Sequence, residues 1–247
     1  KSLTISSGVL SIGEKAFNNP RKVIWLTNTP PSGYTYAKGN INYVANDQYE
    51  DLNNVKVYPY LSSMFEMDGV KYVPISPSER TCHAIDCVYD STMAIVKVGE
   101  TASYKGVEMT VKEIMPYAFY GNSYIKNVSV SHAGNIGDCA FYNCDSVQSI
   151  AVSNLGYIGN QAFYACDGII TADIYNQGKI NSQAFYGCDE IRVVDLSNKD
   201  FVGEKSFSSC LKLSDIVLRD GITEIKNEAF AFCESLESIE IPSTVSK

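Results

Sequence analysis

Apolar positions along this chain recur in columns. Phe stands at Phe17, Phe119, Phe141, Phe163, Phe185, Phe207 and Phe230, each preceded by Ala except at Ser206. From Phe119 to Phe207 every step is 22 residues, and the last, to Phe230, is 23. Five residues before each Phe is a β-branched residue: Ile12, Ile114, Ile136, Ile158, Ile180, Val202 or Ile225. Six, nine and eleven residues after it come further apolar columns; Val147, Ile150 and Val152 show them, and Asn28 is the exception in the last. The columns nine and eleven after the Phe alternate with mostly polar neighbours, which predicts a short strand with one buried face. Ala-Phe-x-x-Cys puts the Phe and the residue three later on one face of a helical or 3₁₀ turn. One unit is therefore predicted as strand, bend and short turn. It cannot bury its apolar side alone, and stacking places the strands in a parallel sheet.

Between Phe17 and Phe119 this register is lost. Pro30-Pro31-Ser32-Gly33 is followed by a Tyr/Asn-rich stretch from Tyr34 to Tyr60. Asp68-Gly69 between alternating apolar residues predicts a hairpin. Ala94–Val98 and Val107–Val111 read as further strands. The expected division is a partial repeat over 1–30, a β-rich insert over 31–106, and six repeats over 107–247. The chain starts on the strand of a repeat whose front half is missing and ends just after a strand, so it reads as cut from something longer.

Composition changes this picture little. The 247 residues are 45% hydrophobic and 19% charged, and no run of 18 apolar residues predicts a membrane span. The net charge of −8 disfavours a nucleic-acid partner, because phosphate binding needs a positive footprint. Of eight cysteines, Cys144, Cys166, Cys188, Cys210 and Cys233 lie three after a repeat Phe, which predicts a buried column of reduced thiols. Cys139 falls two before its Phe, in a column otherwise holding Lys15, Tyr117, Gln161, Gln183, Lys205 and Glu228, and is expected to be exposed. Cys82-His83-x-x-x-Cys87 is the one ligand-like cluster. Four zinc ligands are not in view there, so a local disulfide or two free thiols is the preferred reading.

At Ile-x-x-x-Ala-Phe-x-x-Cys-x-x-Leu-x-x-Ile-x-Ile-Pro, best seen from Ile225 to Pro242, the chain resembles the BspA-type leucine-rich repeats of bacterial surface proteins. The resemblance covers residues 1–28 and 107–247. Departures are Asn122 and Pro20 in place of Cys, and Ser206 in place of Ala. It implies an α/β leucine-rich-repeat solenoid with short parallel strands and short helical or 3₁₀ turns, interrupted by the β-rich insert. It also implies export or lipid anchoring, with an extracellular or cell-surface location and any export signal outside this sequence. Protein partners such as host matrix or other surface proteins follow from the same resemblance.

No chemistry-bearing constellation accompanies the repeats. Only His83 and His132 occur, no Ser or Cys has a His at a motif spacing, and no phosphate loop follows a strand. Neither enzymatic activity nor a cofactor or metal is expected. Two surface columns are candidates for binding. The outward strand column includes Asp173, Asp195 and Glu240, with Asp215 close by; it reads as a solvated acidic face or as a site for a cation or basic protein. Like charges side by side there are destabilising. One residue after the Phe stand Tyr120, Tyr142, Tyr164 and Tyr186, read as packing filler or as binding anchors. The function expected is an adhesion or protein-interaction module; a structural stalk or spacer, and a glycan binder using the tyrosines, are the alternatives.

Overall fold

The computed structural model describes residues 2–12, 16–17, 20, 22–27, 41–44, 55–132 and 134–246. Pro30–Gly33, Lys15, Asn28, the side chain of His132 and much of the Tyr/Asn-rich stretch lie outside the described residues. The chain forms two compact units, Lys1–Phe65 with Val73–Thr81, and Glu66–Tyr72 with Cys82–Lys247.

The first unit holds a parallel sheet of Ser2–Ile5, Lys22–Trp25, Ile41–Val44 and Val55–Val57, in chain order. Leu3, Val23, Asn42 and Val55 are partners in series, at steps of 20, 19 and 13 residues. Stacking thus continues past residue 30, where an insert was expected, and the uneven steps hide it from a search for a constant period. Ile5, Ile12, Val23, Trp25 and Val44 form the core, and the Trp25 indole Nε1 donates to Asn42 Oδ1 at 3.0 Å. Phe17 departs from its expected core position, with 41% exposure. Its strand starts at Lys22, five residues on, whereas Asn127 follows Phe119 by eight. The strand thus follows Phe17 at a different spacing in the sequence from that of the array, and Phe17 does not share the register of the buried column.

The expected hairpin forms at Asp68-Gly69, between Phe65–Met67 and Val70–Ser76, with both tip residues at positive φ (50° and 76°). Thr101–Tyr104 and Val107–Ile114 pair antiparallel across Lys105-Gly106. The main parallel sheet runs Ile95–Val98, Asn127–His132, Ser149–Asn154, Thr171–Asn176, Val193–Ser197 and Asp215–Leu218. Its first strand comes from the stretch assigned to the insert, so the 106/107 boundary does not divide the sheet. Val96, Val128, Ile150, Ala172, Val194 and Ile216 pair in one row and face the core. A second ladder joins Ile114, Ile136, Ile158, Ile180, Val202 and Ile225, the β-branched column.

The turns differ from the helical or 3₁₀ form expected. Residues two before the Phe (Tyr117, Cys139, Gln161, Gln183, Lys205, Glu228) have φ of 54–60°, and those two after it (Gly121, Asn143, Ala165, Gly187, Ser209, Phe232) 49–67°. A helix would aim its N–H groups along its own axis; this left-handed alternation turns them sideways. The amides of Cys139, Phe141 and Asn143 donate to Asn160, Ala162 and Tyr164 of the next repeat at 2.7–2.9 Å, and the other repeats follow suit. These lateral bonds offset the cost of left-handed non-glycine residues, about 1–2 kcal/mol each. Cys139 is accordingly buried rather than exposed. Its Sγ lies 3.7 Å from Gln161 Oε1, and Gln161 Nε2 donates to Gln183 Oε1 at 2.9 Å.

Inside, the Phe rings from Phe119 to Phe207 stack at 4.6–5.0 Å with planes within 10°. Phe230 continues the stack at 5.6 Å and, like Cys233, is partly buried. The strand expected around Glu240 does not form, and Ile241 is exposed. The thiols do more than fill space. Cys144, Cys166, Cys188, Cys210 and Cys233 donate to the carbonyls of Phe119, Phe141, Phe163, Phe185 and Phe207 at 3.0–3.3 Å. Burial raises the Cys188 thiol to about 12, so it stays protonated as a donor. Cys188→Ala is expected to cost about 2 kcal/mol, because the Phe163 carbonyl loses its partner. Cys188→Ser should cost less, since the hydroxyl still donates; urea denaturation of the two variants checks the order.

Candidate functional site

Side chains that alternate away from the core cover the outer face of the main sheet. On Asn127–His132 and Ser149–Asn154 they are small and mostly polar: Asn127, Ser129, Ser131, Ser149, Ala151 and Ser153. On the next three strands the character changes. Thr171, Val193 and Asp215 share one row, Asp173, Asp195 and Val217 the next, with Tyr175 beside Ser197. Tyr175, Val193 and Val217 are 45%, 42% and 44% exposed.

Asp173 and Asp195 are direct cross-strand partners, as the repeat spacing predicts. Arg219 resolves the repulsion. Its guanidinium grips Asp195 bidentately, with Nε 2.7 Å from Oδ1, and the Tyr175 hydroxyl donates to Asp195 Oδ2 at 3.2 Å. Those bonds, Arg219 first, hold the Asp195 carboxyl below its ordinary range. Asp195 is therefore already partnered and is not the open acid that the sequence suggested. Asp173 and Asp215 are exposed; Glu240 and Asp215 help line a shallow cleft beside Val217.

Tyr120, Tyr142, Tyr164 and Tyr186 lie along the turn edge, partly buried and stacked at 4.8–5.1 Å with planes within 13°. Each inner ring spends both faces on its neighbours. The arrangement leaves edges and hydroxyls outward, a poor platform for a ligand that needs an aromatic face.

Cys82, His83 and Cys87 share the strand Thr81–Cys87. Residues five apart on a strand point to opposite faces, about 16 Å from one another, so a local disulfide between the two thiols is ruled out, and both are reduced and buried. No group of three potential metal ligands converges among the described residues. Burial lowers His83 from 6.5 to about 4. Between these values the unfolded chain binds a proton that the folded chain refuses. The stability is present above pH 6.5 and is lost as pH falls towards 4. We expect a loss on the order of 2 kcal/mol across that window, absent in His83→Asn, measured by denaturation at stepped pH.

Sequence reasoning missed Tyr175, Val193, Val217 and Arg219. Their signal was there: Val193 and Val217 are apolar in outward columns that other repeats fill with polar, acidic or small residues, and Tyr175 and Arg219 share a column otherwise holding Ser131, Ser153 and Ser197.

A search of curated proteins finds no match. Among solved structures, a leucine-rich-repeat protein from Eubacterium ventriosum ATCC 27560 matches with a TM-score of 0.63 at 18% identity, over 99% of this chain and 80% of that one. A leucine rich cell surface protein from Faecalibacterium prausnitzii A2-165 matches with a TM-score of 0.56 at 21% identity, over 74% of this chain. The match spans about half of that longer protein, 49% of its chain. These likenesses show the leucine-rich-repeat fold. No described helix is long and apolar enough to cross a membrane. The family profile described as BspA type leucine rich repeat region matches residues 103–213 and 174–247, in six copies. With its stacked Ala-Phe-x-x-Cys turns and parallel strands, the chain belongs to the BspA-type leucine-rich-repeat family.

Proposed function

We propose that this chain is a non-catalytic protein-interaction module, displayed outside a bacterial cell in an adhesive role. One observation supports this above others: Tyr175, Val193 and Val217 are exposed on rigid strands around the Asp195–Arg219 pair. A solvated sheet face normally carries polar side chains, as Asn127–His132 and Ser149–Asn154 do here. Tyr and Arg amid apolar contacts are the residue types that anchor protein interfaces. A spacer has no use for such a patch, and the glycan reading needs tyrosine faces that the stack covers. The cell-surface description of the Faecalibacterium protein favours the location.

The test is surface plasmon resonance of the purified chain over immobilised extracellular-matrix proteins, bacterial surface proteins and glycans. The expected result is capture by a protein, abolished in a Val193→Lys/Val217→Lys variant whose melting temperature is unchanged. Capture that survives this variant, capture by glycans alone, or no capture at all overturns the reading.

A further inference from the structure

The three strands Thr171–Asn176, Val193–Ser197 and Asp215–Leu218 carry three aspartates and no Lys, Arg or His. Arg219, just beyond them, is committed to Asp195. Val193 stands directly beside Asp215 and diagonally from Asp173. In a sheet a direct neighbour lies about 5 Å away and a diagonal one about 7–8 Å. Asp173 and Asp215 are two strands apart and two residues out of register, roughly 12 Å between backbones. They cannot share a metal ion, whose oxygen ligands sit at about 2.0–2.6 Å. A long organic cation fits the spacing instead.

Resting on the reading above, we propose that Val193, Asp173 and Asp215 form a subsite for a lysine or arginine side chain of a partner protein. The aliphatic stem lies on Val193, as such stems do on apolar surface, and the charged head sits between the two carboxylates. Val217 and Tyr175 take the apolar neighbours of that side chain. The occupant is a basic, partly apolar segment, complementary to a chain of net charge −8.

The probe is a short fluorescent peptide of alternating Lys and Val, with its Glu-Val counterpart as control, titrated by anisotropy at low and high salt. The Lys-Val peptide is expected to bind with affinity that falls as salt rises, and the Glu-Val peptide not to bind. Asp173→Asn/Asp215→Asn should weaken binding about tenfold. Asp145→Asn/Asp167→Asn, which removes exposed carboxylates beside the cysteines on the turn, should leave it unchanged. Equal loss in both double variants, or no loss in the first, overturns the subsite. If the Lys-Val peptide fails while Val193→Lys/Val217→Lys still abolishes capture of a protein, the basic-partner inference falls and the binding face stands. If neither responds, both fall.

Discussion

Phe163→Ala is expected to destabilise the chain by about 3–5 kcal/mol, the largest effect of any single truncation in the repeats. Phe163 is fully buried and stacked on both sides, 4.8 Å from Phe141 and 5.0 Å from Phe185. Its removal takes away the transfer energy of a ring and leaves a void between layers. The layers cannot close over that void, because the strand ladder, the β-branched ladder and the turn amides hold their spacing on three sides. Phe17→Ala provides the internal control. That ring is 41% exposed, so the same chemical change should cost less, about 1–2 kcal/mol. Urea denaturation of both variants separates a stacked repeat Phe from one that merely matches the sequence pattern.

Gly156→Val is expected to cost roughly 3 kcal/mol, at the upper end for overpacking. A Cβ at Gly156 would stand 2.6 Å from the Gly134 carbonyl oxygen and 2.2 Å from Asn135 Oδ1. The oxygen is backbone that also accepts the Gly156 amide, and Asn135 Oδ1 accepts the Tyr157 amide at 3.1 Å. Neither can retreat without breaking a bond between layers. Gly187→Asn should by contrast lie within about 1 kcal/mol of the native chain. Gly187 has φ of 67°, no atom lies within 4 Å of the Cβ position, and the equivalent residue one repeat pair earlier is Asn143. Thermal melts of the two variants test whether close approach or backbone handedness sets the need for glycine.

Much of the array was readable because its core residues obey one period. Val128, Ile150 and Val194 occupy the same column for the same packing reason, so sequence register and sheet register coincide. The turn handedness was not readable. Tyr117, Gln161 and Lys205 carry no local preference for positive φ; lateral hydrogen bonds impose it, and those exist only once repeats are stacked. The first sheet was hidden by its uneven steps. At the candidate surface, the Asp173–Asp195 contact follows from the repeat length alone. The Arg219 clamp does not, because it joins residues in different columns of different repeats, and only the sheet register brings them together. The cysteine carbonyl bonds were hidden for a similar reason. A buried column of thiols is legible as apolar filler, but its donor role depends on the Phe carbonyl of the preceding layer.

The central claim is that the outer sheet face, and not the tyrosine edge, engages a partner. Methyl NMR of valine- and isoleucine-labelled chain, recorded with and without a protein partner captured in the binding screen, tests this most directly. The methyl signals of Val193 and Val217 should move on complex formation, while those of the buried Ile158 and Ile180 hold still. Unmoved Val193 and Val217 signals in a saturated complex would contradict the account.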